Sequence, residues 1–275
     1  MSFNELLDDL LSKQIILLGE SKHGIREQNL NRVRLIKMLH ERAGFNLLYL
    51  ESLKPTLNIS NYSKPIDFIY SELHEVYHTE EILELIEYCF KYQVELRGFE
   101  LYDQYLEEYF NLKINNQDNG FESRTYRDKK MFDIFQHNFN LHREKAIIWG
   151  HNAHMSKKTM SSAYRKKVFG EYLSDFYKDR AHFIGQFTGE GRVEHLKGQE
   201  QVIKQYPDSI EEYIVSNIEN CTAFSKLDGN VFNKEILFSY ADNKSESILL
   251  VDYFDSLILN RKGTKPLRLE IQDVK

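Results

Sequence analysis

Ile15-Ile16-Leu17-Leu18-Gly19-Glu20-Ser21-Lys22-His23-Gly24 begins with four apolar, partly β-branched residues and ends with a carboxylate, an imidazole and a glycine. The apolar run suits a strand buried on both faces of a parallel sheet. Beyond it, Ile25, Val33, Ile36, Met38 and Leu39 recur at roughly helical spacing among charged residues, and Gly44 supplies a C-terminal stop. Asn46-Leu47-Leu48-Tyr49-Leu50 then reads as a second strand, ending at Glu51. Strand, helix and strand form a β-helix-β unit. Glu20 and His23 therefore sit where a strand hands over to a helix.

The alternation continues downstream. Helical patterns run from Pro65 to about Leu73 and from Thr79 to Tyr92, followed by a strand at Val94–Phe99 flanked by Glu100. Two helices are expected near Tyr102–Lys113 and Tyr126–Leu141, separated by the loop Asn115–Gly120. Lys145–Gly150 reads as a fourth strand, followed by His151-Asn152-Ala153-His154. A helix starting between Lys158 and Phe169 and a strand over Ala181–Phe187 come next. In the less regular last third, Ser247–Val251 reads as a late strand with Phe254-Asp255 as its exit. No repeat or low-complexity linker divides the chain, so the expectation is one α/β domain over residues 1–275. Its sheet is expected to be mostly parallel and flanked by helices, with strand order left open.

Composition narrows the function. The 275 residues are 41% apolar, enough for a sizeable core, and the 17 tyrosines and 18 phenylalanines fit core packing before a cleft lining. A formal charge of −6 without a basic block argues against nucleic acid as the main partner. The first ten residues hold three acids and no hydrophobic stretch, and no apolar run approaches the roughly 20 residues of a membrane span. Cys89 and Cys221 are too few for a disulfide scaffold. The expectation is a cytoplasmic protein with reduced thiols and no membrane partner.

Open α/β sheets bind ligands beyond the C-terminal ends of their strands. Four such ends carry Glu or His: Glu20 with His23, then Glu51, then Glu100, then His151 with His154. Each alone could be a solvated cap, and His23 could face solvent from a helix capped by Ser21, but four at one edge favour a site. Glu20, three residues before His23, can orient one ring nitrogen while the other takes a proton from water. Arg26 and Glu27 fall on the next turn, where Arg26 either holds an anionic oxygen or faces solvent. The histidines and carboxylates also suit zinc or iron, although no standard zinc spacing occurs. No Gly-x-Ser-x-Gly elbow is present, which argues against the usual serine hydrolase. The basic residues Lys157-Lys158 and Arg165-Lys166-Lys167 read as a solvated helical face, and Cys89 as core.

With these motifs assembled, the chain resembles the erythromycin esterase family. The resemblance rests on Gly19–Gly24 with Arg26-Glu27, on Gly44-Phe45 and the strand ending at Glu51, on Arg127-Asp128-Lys129-Lys130-Met131, and on Gly150-His151-Asn152-Ala153-His154. Gly170 with Leu173 and the late Phe254-Asp255 fit the same pattern. It implies a hydrolase that opens an ester or lactone by direct attack of water, with no acyl-enzyme. His23 would be the general base, and Glu20 and Glu51 would orient it or place the water. Arg26 and His151 would bind or polarise the ester oxygen. His154, Glu27, Glu100 and the interior pair Arg127-Asp128 would support the pocket, and a helical portion would cover the cleft. No cofactor is required by the resemblance, with a divalent metal left open. The chain is shorter than typical macrolide esterases, with Glu100 where an aspartate is common and Ile134 where an asparagine is. The expected substrate is thus a small ester, lactone or acyl-modified molecule, not necessarily a macrolide, in resistance or in biosynthesis. The alternative is a metal- or ligand-binding protein that uses the same cleft without catalysis.

Overall fold

Along β1 (Ile15–Glu20), successive side chains enter two different cores. Ile15 and Leu17 join one cluster, and Ile16 and Leu18 join the other. Because strand side chains alternate with period 2, a strand covered on both faces must be apolar throughout. All six β1 residues are buried. This central strand sets the frame of the computed structural model, which describes residues 3–52, 56–101, 103–114, 120–141, 144–159, 166–194, 199–219, 221–227, 236–239 and 245–269.

The first part contains α1 (Phe3–Leu10), β1, α2 (Arg26–Ala43), β2 (Leu47–Leu50), β3 (Thr56–Leu57), α3 (Pro65–Glu72), α4 (Glu80–Tyr92) and β4 (Glu95–Gly98). Then follow α5 (Asp103–Ile114), α6 (Phe121–Asn138), β5 (Ala146–His151), α7 (Asn152–Met155) and α8 (Phe169–Tyr177). The last part holds β6 (Ala181–Glu194), β7 (Glu200–Val202), α9 (Ile210–Asn217), β8 (Thr222–Lys226), β9 (Ile236–Ser239), β10 (Ser245–Ile248), α10 (Leu250–Tyr253) and β11 (Ser256–Gly263).

The main sheet runs β3-β4-β2-β5-β1-β6-β11-β8. The six strands from β4 to β11 are mutually parallel. Antiparallel β3 and β8 close the two edges, and β7 pairs with the far end of β6. Helices α1 to α4 cover one face and α6, α8, α9 and α10 the other. The expected α/β class and mostly parallel sheet are therefore present. Helix α2 ends where the sequence places its stop: Gly44 adopts φ 70 and its N–H returns to the carbonyls of His40 and Leu39.

The late strand is displaced from its expected place. Among the described residues Ser245–Ile248 pairs only with β9, and Leu250–Tyr253 is a short helix. The apolar run there feeds the core through Ile248 and Leu250. The sheet position beside β6 belongs to β11, which is buried from Ser256 to Asn260 and turns polar at Arg261 and Lys262. Tyr102, residues 115–119 of the expected loop and Arg165 of the basic patch lie outside the described residues. Among the described residues no helix is long and apolar enough to cross a membrane.

Candidate active site

Four neighbouring strands, β4, β2, β5 and β1, lead at their C-terminal ends to Glu100, Glu51, His151 and Glu20. Glu20 and His151 are register partners across the β1–β5 pair. The crossover that inserts β5 between β1 and β2 thus gathers residues far apart in sequence.

His23 occupies the turn between β1 and α2. Its Nδ1 lies 2.8 Å from Glu20 Oε1. The other Glu20 oxygen accepts from Arg32 Nη2 at 2.7 Å, and Arg32 is wholly buried. The Arg32 guanidinium stacks over Trp149 at 3.7 Å and also donates to Asn29 Oδ1 and the Gln28 carbonyl. Burial alone would raise the Glu20 carboxyl, but Arg32 and then His23 outweigh it and hold it far below the usual carboxylate range. Ionised Glu20 accepts from His23 Nδ1–H, which directs the lone pair of the neutral ring to Nε2. Burial disfavours charge on His23, yet Glu20, with Glu51 behind it, raises its pKa above 6.5.

The turn is fixed by contacts within the chain. Gly24 has φ +75, and a Cβ there would lie 1.9 Å from the Glu194 carbonyl oxygen. Ser21 does not cap the helix, because α2 starts at Arg26 and the Ser21 hydroxyl accepts from Gln28 Nε2 at 2.9 Å. His23 is half-buried on the wall of a cavity of about 570 Å³. Glu51, Glu100 and Arg127 share that wall, Ser71 to Tyr77 form one side, and Leu106 and Tyr109 of α5 another. These helical segments are the portion expected over the cleft.

A second network centres on Arg127. Its Nη2 donates to Glu51 Oε1 at 2.7 Å and also to Glu100, its Nε donates to both Glu100 oxygens, and its Nη1 lies 3.2 Å from His154 Nε2. His154 Nδ1 therefore carries the proton and donates to Asp128 Oδ1 at 2.6 Å. Arg127 and Asp128, expected as an interior pair, hold these further partners, and the Asp128 charge still acts on Arg127. Adjacent helical positions point in different directions, so Arg127 reaches the strand ends while Asp128 holds His154 and the Phe169 N–H. Burial opposes the charge on Glu51, but Arg127 and then the histidines pull its pKa well down. Among the described residues Glu51 Oε2 is buried without a hydrogen-bond partner.

The other expected residues lie outside this wall. The Arg26 Nε donates to Glu81 at 2.8 Å, at the start of α4, and Glu27 accepts from the Thr264 N–H and hydroxyl beyond β11. Both brace the ends of elements. His151 packs beside His23, ring centroids 5.3 Å apart, with both nitrogens engaged. Its Nδ1 accepts from the Ala153 N–H and its Nε2–H donates to the Ser21 carbonyl. Burial first and the His23 charge second lower its pKa to about 3. Among the described residues no group of three His, Cys, Asp or Glu is arranged to hold a metal ion. The guanidinium of Arg127 lies among Glu51, Glu100 and His154, the donors best placed for one.

This charge pattern carries a stability consequence. His151, at about 3, and buried His182, at about 4, stay neutral in the fold where the unfolded chain would bind protons below 6.5. The lowered Glu20 and Glu51 act in the same direction below 4.5. Raised His23 and Glu211, whose carboxyl burial pushes up, work oppositely, favouring the fold in acid and losing that contribution as pH rises through their folded values. With four groups against two, Tm should fall as pH drops from about 6.5 towards 4. Thermal melts followed by emission of Trp149, the sole tryptophan, would read this, and a Tm constant over that range would contradict it.

Sequence reasoning missed Arg32, Gln28 and Tyr77. Gln28 and Arg32 share the buried stripe of α2 with Leu35, Ile36 and Leu39 at three- and four-residue spacing. Two polar residues on that stripe were the available signal.

Known proteins place this arrangement in a family. The erythromycin esterase family model matches residues 100–238, about half of the 275 residues, a stretch holding Glu100, Arg127, Asp128, His151 and His154. The putative hydrolase YbfO of Bacillus subtilis (strain 168) is 27% identical over 229 residues, covering 74% of this chain and 49% of that protein. The chain thus spans about half the length of this curated relative. A crystal structure of a Bacillus cereus protein superposes with a TM-score of 0.78 at 20% identity, covering 98% of this chain and 94% of that one. A mutant of the erythromycin esterase EreC, in its open conformation, superposes with a TM-score of 0.65 at 16% identity, covering 100% and 97%. At such identities the superpositions speak for a shared fold alone, and the matched half of the sequence makes the assignment: this chain belongs to the erythromycin esterase family.

Proposed function

We propose that the chain hydrolyses an ester or lactone by direct attack of water activated at His23. The observation that carries this reading is the Arg32–Glu20–His23 relay, which presents Nε2 of an oriented imidazole at the cavity wall. Neutral His23 takes one proton from water as its oxygen bonds to the carbonyl carbon. Glu51 Oε2, buried without a partner among the described residues, accepts the other hydrogen of that water and fixes its approach. The tetrahedral intermediate collapses with cleavage of the acyl carbon–oxygen bond. The imidazolium returns its proton to the departing alkoxide, giving an acid and an alcohol. A metal bound at the carboxylates would polarise the carbonyl. Glu51 and Glu100 could take part only after release from Arg127.

The substrate class is a small ester, lactone or acyl-modified molecule. A cavity of about 570 Å³ falls within the range of small-molecule sites, and its wall mixes Leu73, Val76, Leu101 and Leu106 with the charged floor. Catalysis in the cytoplasm is part of the same proposal. Turnover of 4-nitrophenyl acetate, δ-valerolactone and a macrolide, with acid-quenched intact-mass measurement of the protein, tests the reading. Hydrolysis without an acyl adduct is expected. A stoichiometric adduct, or turnover of none of the three, would contradict it.

A further inference from the structure

Direct attack of water on a carbonyl leaves a negative oxygen that needs a hydrogen-bond donor in a site sheltered from water. The donors expected for this task are committed elsewhere. Arg26 is drawn to Glu81, and both His151 nitrogens are satisfied by backbone groups. On the cavity wall, all three Arg127 nitrogens are engaged by Glu51, Glu100 and His154, and the Ser52 hydroxyl donates to the Glu72 carbonyl.

Tyr77 differs. Its side chain lines the same cavity as His23 and Glu51 while the residue as a whole is only 5% exposed. Its ring meets the Trp149 ring edge-to-face at 6.0 Å, on the indole that Arg32 covers. Its backbone is fixed in a 3₁₀ turn over Glu75–Tyr77: the Tyr77 N–H donates to the His74 carbonyl, and the Tyr77 carbonyl accepts from the Thr79 N–H. Among the described residues its hydroxyl has no hydrogen-bond partner. A rigidly seated phenol whose O–H has no partner among the described residues therefore shares the cavity wall with His23 and Glu51.

We infer that Tyr77 is a catalytic residue whose hydroxyl donates a hydrogen bond to the carbonyl oxygen of the substrate as that oxygen becomes an oxyanion. The inference rests on the water-attack reading above. Tyr77 supplies a hydrogen bond without transferring its proton. Burial, reinforced by Glu51 and Glu20, pushes its pKa well above 10.0, so the phenol keeps its proton throughout the pH range of His23. Near carboxylates a neutral donor has a further merit. It stabilises the developing charge without pairing with Glu20 or Glu51 as a cation would.

The test is Tyr77→Phe beside His23→Gln, using 4-nitrophenyl acetate, δ-valerolactone and a macrolide as probes. Tyr77→Phe should lower kcat by about 10²-fold to 10³-fold, as loss of one oxyanion donor does, with KM within about twofold of wild type. Trp149 emission should be unchanged, since the ring remains, and so should the midpoint of the pH profile, since His23 is untouched. Wild-type kcat in Tyr77→Phe with an inactive His23→Gln would overturn the role of Tyr77 and leave the base assignment standing. A raised KM at unchanged kcat would also overturn it, marking a ground-state contact only. Full activity in both variants, or no wild-type turnover of any probe, would overturn the hydrolase reading and this inference together.

Discussion

His23→Gln is expected to lower kcat/KM on the order of 10³-fold while leaving the fold intact. Glutamine is close in reach to histidine, and its amide can still donate to Glu20, whose second oxygen remains clamped by Arg32. The half-buried position tolerates the exchange sterically, and no buried charge is orphaned. What disappears is the lone pair at Nε2 that takes the proton of water. Steady-state kinetics with circular dichroism on the same preparation would separate the two effects. A folded His23→Gln variant with wild-type turnover would exclude His23 as the base.

Arg32→Met is expected to give the largest loss of stability. The guanidinium is wholly buried, is bonded to the carboxylate of Glu20 at 2.7 Å and covers the face of Trp149. Methionine retains much of the volume and the contact with the indole but removes the charge. Glu20 would then stand 2% exposed with His23 as its charged neighbour. Removing one partner of a buried ion pair costs about 3–5 kcal/mol, because the other charge is left uncompensated. For a chain of this size that lowers Tm on the order of 10 °C. Activity should fall as well, since Glu20 no longer holds the His23 ring from a fixed position. Calorimetry of the two proteins would show it, and a Tm within about 1 °C of wild type would contradict the structural role assigned to Arg32.

The sheet was legible because its strands are buried on both faces. Ile15–Leu18 and Ala146–Trp149 read as apolar runs since each successive side chain feeds one core or the other. Strand order was not legible, because the insertion of β5 between β1 and β2 depends on contacts between residues far apart in sequence, such as Leu47 with Ala146 and Ile15 with Ala146. The acidic and imidazole residues at strand ends were visible as types in a setting. Their partners were not. Arg127 reaches Glu51 and Glu100, and Arg26 turned to Glu81, because helix phase and neighbouring elements decide where a long side chain reaches. Tyr77 gave no signal in one dimension. It acquires a position only when the 3₁₀ turn over Glu75–Tyr77 is laid against Trp149.

The central claim is that His23, poised by Glu20, is the base. Its most direct test is kcat/KM against pH for wild type and Glu20→Gln, at a temperature where both are folded. Only neutral His23 accepts a proton, and Glu20 favours the charged ring, so wild-type activity should rise with pH through a midpoint above 6.5. Removing the charge of Glu20 should shift that midpoint to lower pH and reduce the plateau. A flat profile in the wild type, or a midpoint that Glu20→Gln leaves unmoved, would contradict it.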